Sequence, residues 1–224
     1  MENESTNFEA MEILDQNIAA EVADKLLEIQ AIRLQPEKPF TWASGWKSPI
    51  YCDNRLSLSF PEVRNLIRDQ LVKSVCHFFQ NVEAIAGVAT AGIPQGALIA
   101  NELGLPFIYV RSKPKGHGME NMIEGKVTPG QKVVVVEDLV STGGSSLKAA
   151  EDLKNAGFEV LGMVAIFSYG FEVAAQNFAK AGIKLVCLSH YDALLPIAVK
   201  RNYVTSEMLD SLSEWRKDPG SWKQ

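Results

Sequence analysis

The stretch VVVVEDLVSTGGSS, from Val133 to Ser146, decides the predicted fold. It begins with four β-branched residues, which indicate a strand buried on both faces. The strand carries Glu137 and Asp138 to its end, and two glycines then turn the chain into a helix. In a parallel α/β sheet, that end of a strand lies at the ligand-binding edge. The stretch therefore predicts a sheet and a site at its edge.

The turn after this strand has the composition of an anion-binding loop. Gly143 and Gly144 let backbone N–H groups converge without a Cβ in the way, and the next helix directs its positive N-terminal end to the same point. Ser141, Thr142 and Ser145 add hydroxyl donors. Neither GxxxxGK[ST] nor an opening GxGxxG is present, which argues against a nucleotide triphosphatase loop and a dinucleotide fold.

Two adjacent carboxylates before such a loop would repel a phosphate unless they bind something else. Ribose hydroxyls, or a magnesium ion carried with the ligand, would suit them. The plainer alternative is that Glu137 and Asp138 only cap the strand and the helix, and that the glycines form an ordinary turn. The strand, the acids, the turn and the helix in register favour the ligand site.

Outward from this stretch, the chain alternates between strand and helix patterns. The predicted strands are Ala84–Ala89, Pro106–Val110, Lys132–Asp138, Glu159–Tyr169 and Ile183–Ser189. The predicted helices between them are Gly92–Leu103, Ser145–Ala156 and Phe171–Ala181. This order predicts an α/β fold with a central parallel sheet flanked by helices. Two further helices are predicted before the sheet, one with apolar spacing from Leu14 to Ile29 and one opened by Pro61, and a last helix over 204–218 precedes a frayed tail.

The composition narrows the class of protein. Lys plus Arg is 22 and Asp plus Glu is 27, so the net charge of −5 offers nucleic acid no overall attractive field. The three cysteines are widely spaced, which fits a reducing compartment better than disulfides or zinc. The acidic N-terminus and the short apolar runs predict neither a signal peptide nor a membrane span. We expect a cytoplasmic protein that binds neither nucleic acid nor membrane.

The connection over 111–130, RSKPKGHGMENMIEGKVTPG, is unusually long. It is rich in glycine, proline and charge, and loops of this length in compact domains are either functional lids or disordered. It leaves a predicted strand at the same sheet edge as the phosphate loop, and it contains Arg111, Lys115 and His117. Mobile cations there would neutralise a departing anion and exclude water. We therefore predict a lid.

VVVVEDLVSTGGSS closely resembles the phosphoribosyl-diphosphate signature of the type I phosphoribosyltransferases. The resemblance implies that fold and that ligand. It implies that Glu137 and Asp138 hold the ribose hydroxyls, and that the 5′-phosphate is held by the following loop: Leu139, Val140, Ser141, Thr142, Gly143, Gly144 and Ser145.

Three further segments resemble the orotate phosphoribosyltransferases. RSKPKGHG is similar to their catalytic loop, FTWASGWKSPIYCDNR (Phe40–Arg55) to their orotate-side segment, and GVATAGIPQG (Gly87–Gly96) to their diphosphate loop. The resemblance implies transfer of ribose 5-phosphate to N1 of orotate in pyrimidine biosynthesis. It also implies Mg²⁺ bound mainly through the phosphoribosyl diphosphate, without direct side-chain ligands, and a homodimer in which loop 111–130 completes the partner's site.

The same resemblance implies the residue roles. Arg111, Lys115 and His117 would be catalytic and would contact phosphoribosyl diphosphate, and Ser141, Lys47 and Tyr51 would contact orotate. The chain departs from some members of the family in FSYGF, which has no arginine, so that Tyr169 offers only a hydroxyl there.

Two other functions stay open at this stage. A purine phosphoribosyltransferase would share the stretch from Glu137 to Ser145 but would not be expected to have the Phe40–Arg55 segment. A non-catalytic phosphoribosyl-diphosphate sensor would normally need a DNA-binding appendage. For the domain organisation, we predict an N-terminal helix and hood over residues 1–60 and an α/β core over residues 61–224.

Overall fold

The computed structural model describes residues 11–42, 45–113 and 122–223. Eleven strands are found in these ranges: β1 (Met11–Ile13), β2 (Ile32–Leu34), β3 (Phe40–Thr41), β4 (Lys47–Ser48), β5 (Ile50–Cys52), β6 (Ala84–Val88), β7 (Phe107–Val110), β8 (Ile123–Glu124), β9 (Lys132–Val140), β10 (Glu159–Ser168) and β11 (Leu185–His190).

Seven α-helices lie between and after these strands in the same described ranges: α1 (Gln16–Glu28), α2 (Pro61–Phe78), α3 (Gly92–Leu103), α4 (Gly144–Asn155), α5 (Glu172–Ala181), α6 (Tyr191–Lys200) and α7 (Leu209–Lys217). Two 3₁₀ helices span Asn54–Ser59 and Ser206–Met208.

The central sheet has seven strands in the order β1-β11-β10-β9-β6-β7-β8. All of its neighbours are parallel except β7 and β8, which are antiparallel. Strand β9 lies near the middle and is flanked by β10 and β6. The predicted α/β fold with a mostly parallel sheet flanked by helices is therefore confirmed.

Alternate residues of the buried strands supply two separate cores. Val134 and Val136 of β9 pack in the core that α1, α2, α3, α6 and α7 cover. Val133 and Val135 pack in the core that α4 and α5 cover. A strand buried on both faces has no polar side to show, which is why VVVV reads as a continuous apolar run.

The segment between α1 and α2 forms a small hood beside the central sheet. Strands β2 and β5 make one two-stranded antiparallel sheet, and β3 and β4 make another. Helix α1, however, packs into the larger core through Leu26 and Leu27, and β1 joins the central sheet next to β11. The division of the chain at residue 60 stays a prediction.

Most predicted elements are confirmed, with differences at their ends. Helix α3 has the predicted range, whereas β9 continues two residues past Asp138 to Val140. Within the predicted loop 111–130, Ile123–Glu124 form β8. Helix α6 and strand β1 had no counterpart in the sequence analysis.

The expectation of a frayed C-terminal tail is wrong for residues 219–223. Trp222 is 6% exposed and belongs to the larger core. Its Nε1 donates to Ser211 Oγ at 3.2 Å, and Lys223 Nζ donates to the carbonyl of Pro36 at 2.9 Å. The tail therefore joins α7 to the hood.

Candidate active site

The acidic pair lies on β9 beyond the last residues that pair with β6. The β6–β9 register ends at Gly87 and Val136, and Glu137 and Asp138 follow directly. Glu137 is 6% exposed, and its two carboxylate oxygens accept hydrogen bonds from Ser146 Oγ at 2.9 Å and from the Asp138 N–H at 3.0 Å. Burial, reinforced by the neighbouring Asp138 carboxyl, raises the pKa of Glu137 to about 8.

Asp138 is less buried than Glu137 and carries the same direction of shift. Burial raises the pKa of the Asp138 carboxyl, and the positive charge of Arg55 opposes that rise. Its carbonyl oxygen accepts a hydrogen bond from Asn54 Nδ2 at 2.7 Å. The two acids are thus one electrostatic unit held between a buried serine and the hood.

The loop after β9 presents backbone N–H groups at the start of α4. Gly143 is the N-cap residue with φ +81°, a left-handed conformation that favours glycine. An added Cβ at this position would lie 2.7 Å from Phe178 Cε2. Asn177 Nδ2 donates to the carbonyl of Thr142 at 3.0 Å and holds the loop from α5. Because the loop is fixed and the helix begins at its end, the geometry fits an anion.

The residues of this predicted anion loop differ in accessibility. Gly144 and Ser145 are exposed at the first turn of α4, and Ser141 and Thr142 are partly exposed. Val140 is fully buried and its carbonyl accepts from the Tyr169 N–H at 3.1 Å, while Leu139 packs against the larger core. For Leu139 and Val140, therefore, only the backbone groups, and not the side chains, are placed to contact a ligand.

The segment GVATAGIPQG connects β6 to α3 beside the acidic pair. A Cβ at Gly92 would lie 2.3 Å from the carbonyl oxygen of Val136, so only glycine permits α3 to approach β9 this closely. The peptide bond between Ala89 and Thr90 is cis. The predicted diphosphate loop therefore lies at the same edge of the sheet as the acids.

The Phe40–Arg55 segment meets this edge from the hood side. Tyr51 is 36% exposed, and the Arg33 guanidinium lies 4.9 Å above its ring. Lys47 Nζ donates to Thr41 Oγ1 at 3.0 Å. Cys52 follows Tyr51 on β5 and therefore points to the opposite side. Burial raises the pKa of the Cys52 thiol, and the nearby charge of Asp138 adds to the rise.

An aromatic cluster supports this segment from behind. The Trp42 ring stacks on Tyr169, with centroids 5.2 Å apart, and both meet Trp215 edge-on at 5.7 Å. Trp42 Nε1 also donates to the carbonyl of Ile50 at 3.3 Å. Burial raises the pKa of the Tyr169 hydroxyl, and the nearby charges of Cys52 and Asp138 raise it further. The FSYGF tyrosine thus lies between the hood and the acids.

The predicted lid is described only at its two ends. Arg111 follows β7, and its guanidinium donates to Glu124 Oε1 at 3.0 Å and to the Lys113 carbonyl at 3.2 Å. Lys115 and His117 lie outside the described residues. The structure therefore brings together Glu137, Asp138 and the anion loop, and it places Arg111 in an ion pair on β8.

Two polar residues of the site were not predicted from the sequence. Ser146 supports Glu137, and its signal is its position at the third residue of the helix that follows the acids. Asn54 reaches Asp138 across 84 positions of the chain, and no local pattern announces such a contact.

Two kinds of feature are absent from the described ranges. No group of three or more His, Cys, Asp or Glu side chains there is arranged to hold a metal ion. None of the helices in residues 11–42, 45–113 and 122–223 has the length and apolar character needed to cross a bilayer.

Comparison with known proteins agrees with this geometry. A family model described as the phosphoribosyl transferase domain matches residues 58–189. An orotate phosphoribosyltransferase of Cytophaga hutchinsonii is 64% identical over 208 residues, which are 93% of this chain and 100% of the relative. One from Porphyromonas gingivalis is 58% identical over 201 residues, which are 90% of this chain and 96% of the relative.

A solved structure gives the same result at lower identity. The crystal structure of orotate phosphoribosyltransferase from Aeropyrum pernix superimposes with a TM-score of 0.71 and 31% identity, covering 82% of this chain and 99% of the other. The chain belongs to the orotate phosphoribosyltransferase family and carries the phosphoribosyl transferase domain.

Proposed function

We propose that this chain transfers ribose 5-phosphate from 5-phospho-α-D-ribose 1-diphosphate to N1 of orotate, giving orotidine 5′-phosphate and diphosphate. The observation that carries the proposal is the buried acidic pair followed by a fixed, glycine-built loop at the start of α4. The 64% identity to a named orotate phosphoribosyltransferase selects the acceptor. The reaction is a step of pyrimidine biosynthesis.

The donor side of the proposed site consists of β9, the loop 141–143 and the start of α4. The 5′-phosphate would accept hydrogen bonds from the backbone N–H groups of the loop and of Gly144 and Ser145, where the helix dipole favours negative charge. Glu137 and Asp138 would accept hydrogen bonds from the ribose hydroxyls. What supports this role is that both acids lie at the end of β9, two strand residues before the loop.

The acceptor side consists of the Phe40–Arg55 segment together with Ser141. Ser141, Lys47 and Tyr51 would contact orotate. In support, Tyr51 is exposed on β5, and Lys47 lies on the neighbouring two-stranded sheet of the hood. The Trp42–Tyr169 stack would form the wall behind this acceptor side.

The lid would supply the mobile cations. Arg111, Lys115 and His117 would neutralise the departing diphosphate, and in a homodimer they would do so in the partner's site. Leu56 and Phe60, two exposed apolar side chains close together in sequence between β5 and α2, are the observation that favours a second copy there. Arg111 would have to leave Glu124 to act there.

Magnesium would be bound mainly through the oxygens of the phosphoribosyl diphosphate. The described residues fit this arrangement, because the acidic pair places carboxyl oxygens at the edge where the oxygens of the ligand would lie, and Mg²⁺ prefers oxygen ligands. When bound, the ion would neutralise part of the diphosphate charge. The chain's own task is to align N1 with the ribose carbon and to place the oxygen acceptors of the acidic pair beside the cationic ribose.

Two further assignments belong to this proposal. We place the protein in the cytoplasm, and we divide the chain into the helix and hood of residues 1–60 and the core of residues 61–224. The four short strands β2 to β5, which form sheets of their own, support this division.

The decisive experiment follows the loss of orotate absorbance with and without phosphoribosyl diphosphate and magnesium. We expect consumption of orotate that requires both. Activity with a purine base but none with orotate would assign the chain to the purine enzymes. Binding of phosphoribosyl diphosphate without consumption of any base would indicate a sensor.

A further inference from the structure

Asn54 is a buried amide whose two polar atoms both contact the site. It is 2% exposed and begins the 3₁₀ helix that follows β5. Its Nδ2 donates to the carbonyl oxygen of Asp138 at 2.7 Å, and its Oδ1 accepts from the Cys52 thiol at 3.3 Å. A buried amide with both ends paired is oriented by those bonds and resists rotation.

The chain on either side of Asn54 is held as well. The Asp53 N–H donates to the carbonyl of Ala31 at 2.8 Å, which ties the turn to the loop between α1 and β2. The Ser57 hydroxyl donates to the carbonyl of Asn54 at 2.6 Å. Asn54 is therefore a fixed point of the hood and not a side chain on a loose loop.

The two partners of the amide belong to different sides of the proposed site. Cys52 is part of β5, in the segment that would bind the acceptor, whereas Asp138 is one of the acids that would hold the ribose. The amide is a direct bridge between the acceptor side and the donor side. The Asn177–Thr142 bond, although chemically similar, lies entirely on the donor side.

We propose that Asn54 is a positioning residue that sets the acceptor segment against the acidic pair, and so fixes the distance between the acceptor nitrogen and the ribose carbon. This inference rests on the proposed function. Phosphoribosyl diphosphate would still find its contacts on β9, the loop and α4 if the bridge were removed, because those contacts all lie on the donor side. What would be lost is its alignment with the acceptor, and alignment errors of about 1 Å can cost roughly 100-fold in rate.

The test compares turnover with donor binding in Asn54→Ala. The amide is lost from a buried position, so stability will also fall, and the matched control is Ser189→Ala. Ser189 is equally buried, and its hydroxyl donates to the carbonyl of Ala19 at 2.7 Å, between β11 and α1. A second variant, Asn54→Thr, has a similar volume without the amide and replaces Asn54→Ala if that protein does not fold.

The measurements are kcat at saturating substrates, the dissociation constant of phosphoribosyl diphosphate with magnesium, and the urea midpoint. We expect kcat to fall roughly 10- to 100-fold in the Asn54 variant. Donor affinity should change by less than about threefold, and Ser189→Ala should lose stability while keeping kcat.

Unchanged kcat in the Asn54 variant would overturn the inference. So would an equal fall in kcat in Ser189→Ala, or a loss of donor affinity as large as the loss of kcat. The proposed function is judged separately, on the wild-type chain, because a wild type that does not consume orotate refutes the assignment before any variant is compared.

Discussion

The donor and acceptor sides of the proposed site are built in opposite ways. The donor side comes from one continuous stretch, in which β9, the loop 141–143 and α4 follow each other directly. The acceptor side consists of short strands whose position depends on residues far along the chain, as in the stack of Trp42 on Tyr169. Local geometry therefore determines the structure of the donor side, whereas tertiary packing determines the structure of the acceptor side.

The C-terminus is the clearest sign of this difference. Trp215 of α7 lies against Trp42 and Tyr169, and Lys223 bonds the hood at Pro36. A Cβ at Gly220 would lie 3.6 Å from the Trp46 ring. The acceptor side thus leans on the last residues of the chain, whereas the donor loop is supported by α5 through Phe178 and Asn177.

The largest effect is expected from Trp215→Ala, which removes the support of the acceptor side. Trp215 is fully buried and packs on Tyr169, Phe171 and Tyr191, so the free energy of unfolding should fall by about 3–5 kcal/mol. The KM for orotate should rise more than the dissociation constant of phosphoribosyl diphosphate. Urea unfolding and steady-state kinetics measure both.

Trp215→Phe keeps a ring in the cluster and serves as the milder variant. If this variant raises the KM for orotate and the dissociation constant of phosphoribosyl diphosphate to the same extent, the acceptor side and the donor side are not supported separately.

The donor side was predictable because its demands are local. Four valines, two acids and two glycines each specify a conformation or an environment within a few residues, and the structure has them as one strand, one turn and one helix. The same holds for α3, where Gly92 is needed for contact with β9. Patterns of this kind predict the correct structure from the local sequence alone.

The misses are elements whose reason is non-local. Strand β1 has three residues and exists because it pairs with β11, from Met11 opposite Leu185 onward. Trp222 looks like part of a tail until α7 offers it Ser211. Asn54 is ordinary in sequence, since its partner Asp138 is 84 positions away. Distant pairings of this kind leave no periodic signal.

A pH-dependent effect is expected from Glu137→Gln on the donor side. Burial raises the pKa of Glu137 from 4.5 to about 8, so the folded state favours the protonated form. That contribution to stability is complete below pH 4.5 and is lost as the pH rises through 8, at about 1.4 kcal/mol per pH unit at most. Glutamine has no proton to lose.

The free energy of unfolding of the wild type, measured relative to Glu137→Gln, should therefore fall between pH 5 and pH 8. Urea titrations followed by tryptophan fluorescence at each pH give the difference. Glu151→Gln is the matched control, since Glu151 is an exposed glutamate on α4. A difference that does not vary with pH would show that Glu137 is ionised in the folded protein.

The smallest effect is expected from Gly143→Ala, which tests the local character of the donor side. The alanine would have to adopt φ +81°, and its Cβ would lie 2.7 Å from Phe178 Cε2, so the loop must shift. A left-handed alanine costs about 1–2 kcal/mol, which corresponds to roughly a tenfold loss of affinity if that cost is incurred when the loop binds the phosphate.

Gly104→Ala is the control, because Gly104 has φ +64° with no atom within 4 Å of the added Cβ. Calorimetric titration should show weaker phosphoribosyl diphosphate binding in the first variant alone, with the KM for orotate unchanged in both. Equal affinity in the two variants would mean that the loop adapts, and that the donor side is less rigid than its single-stretch construction implies.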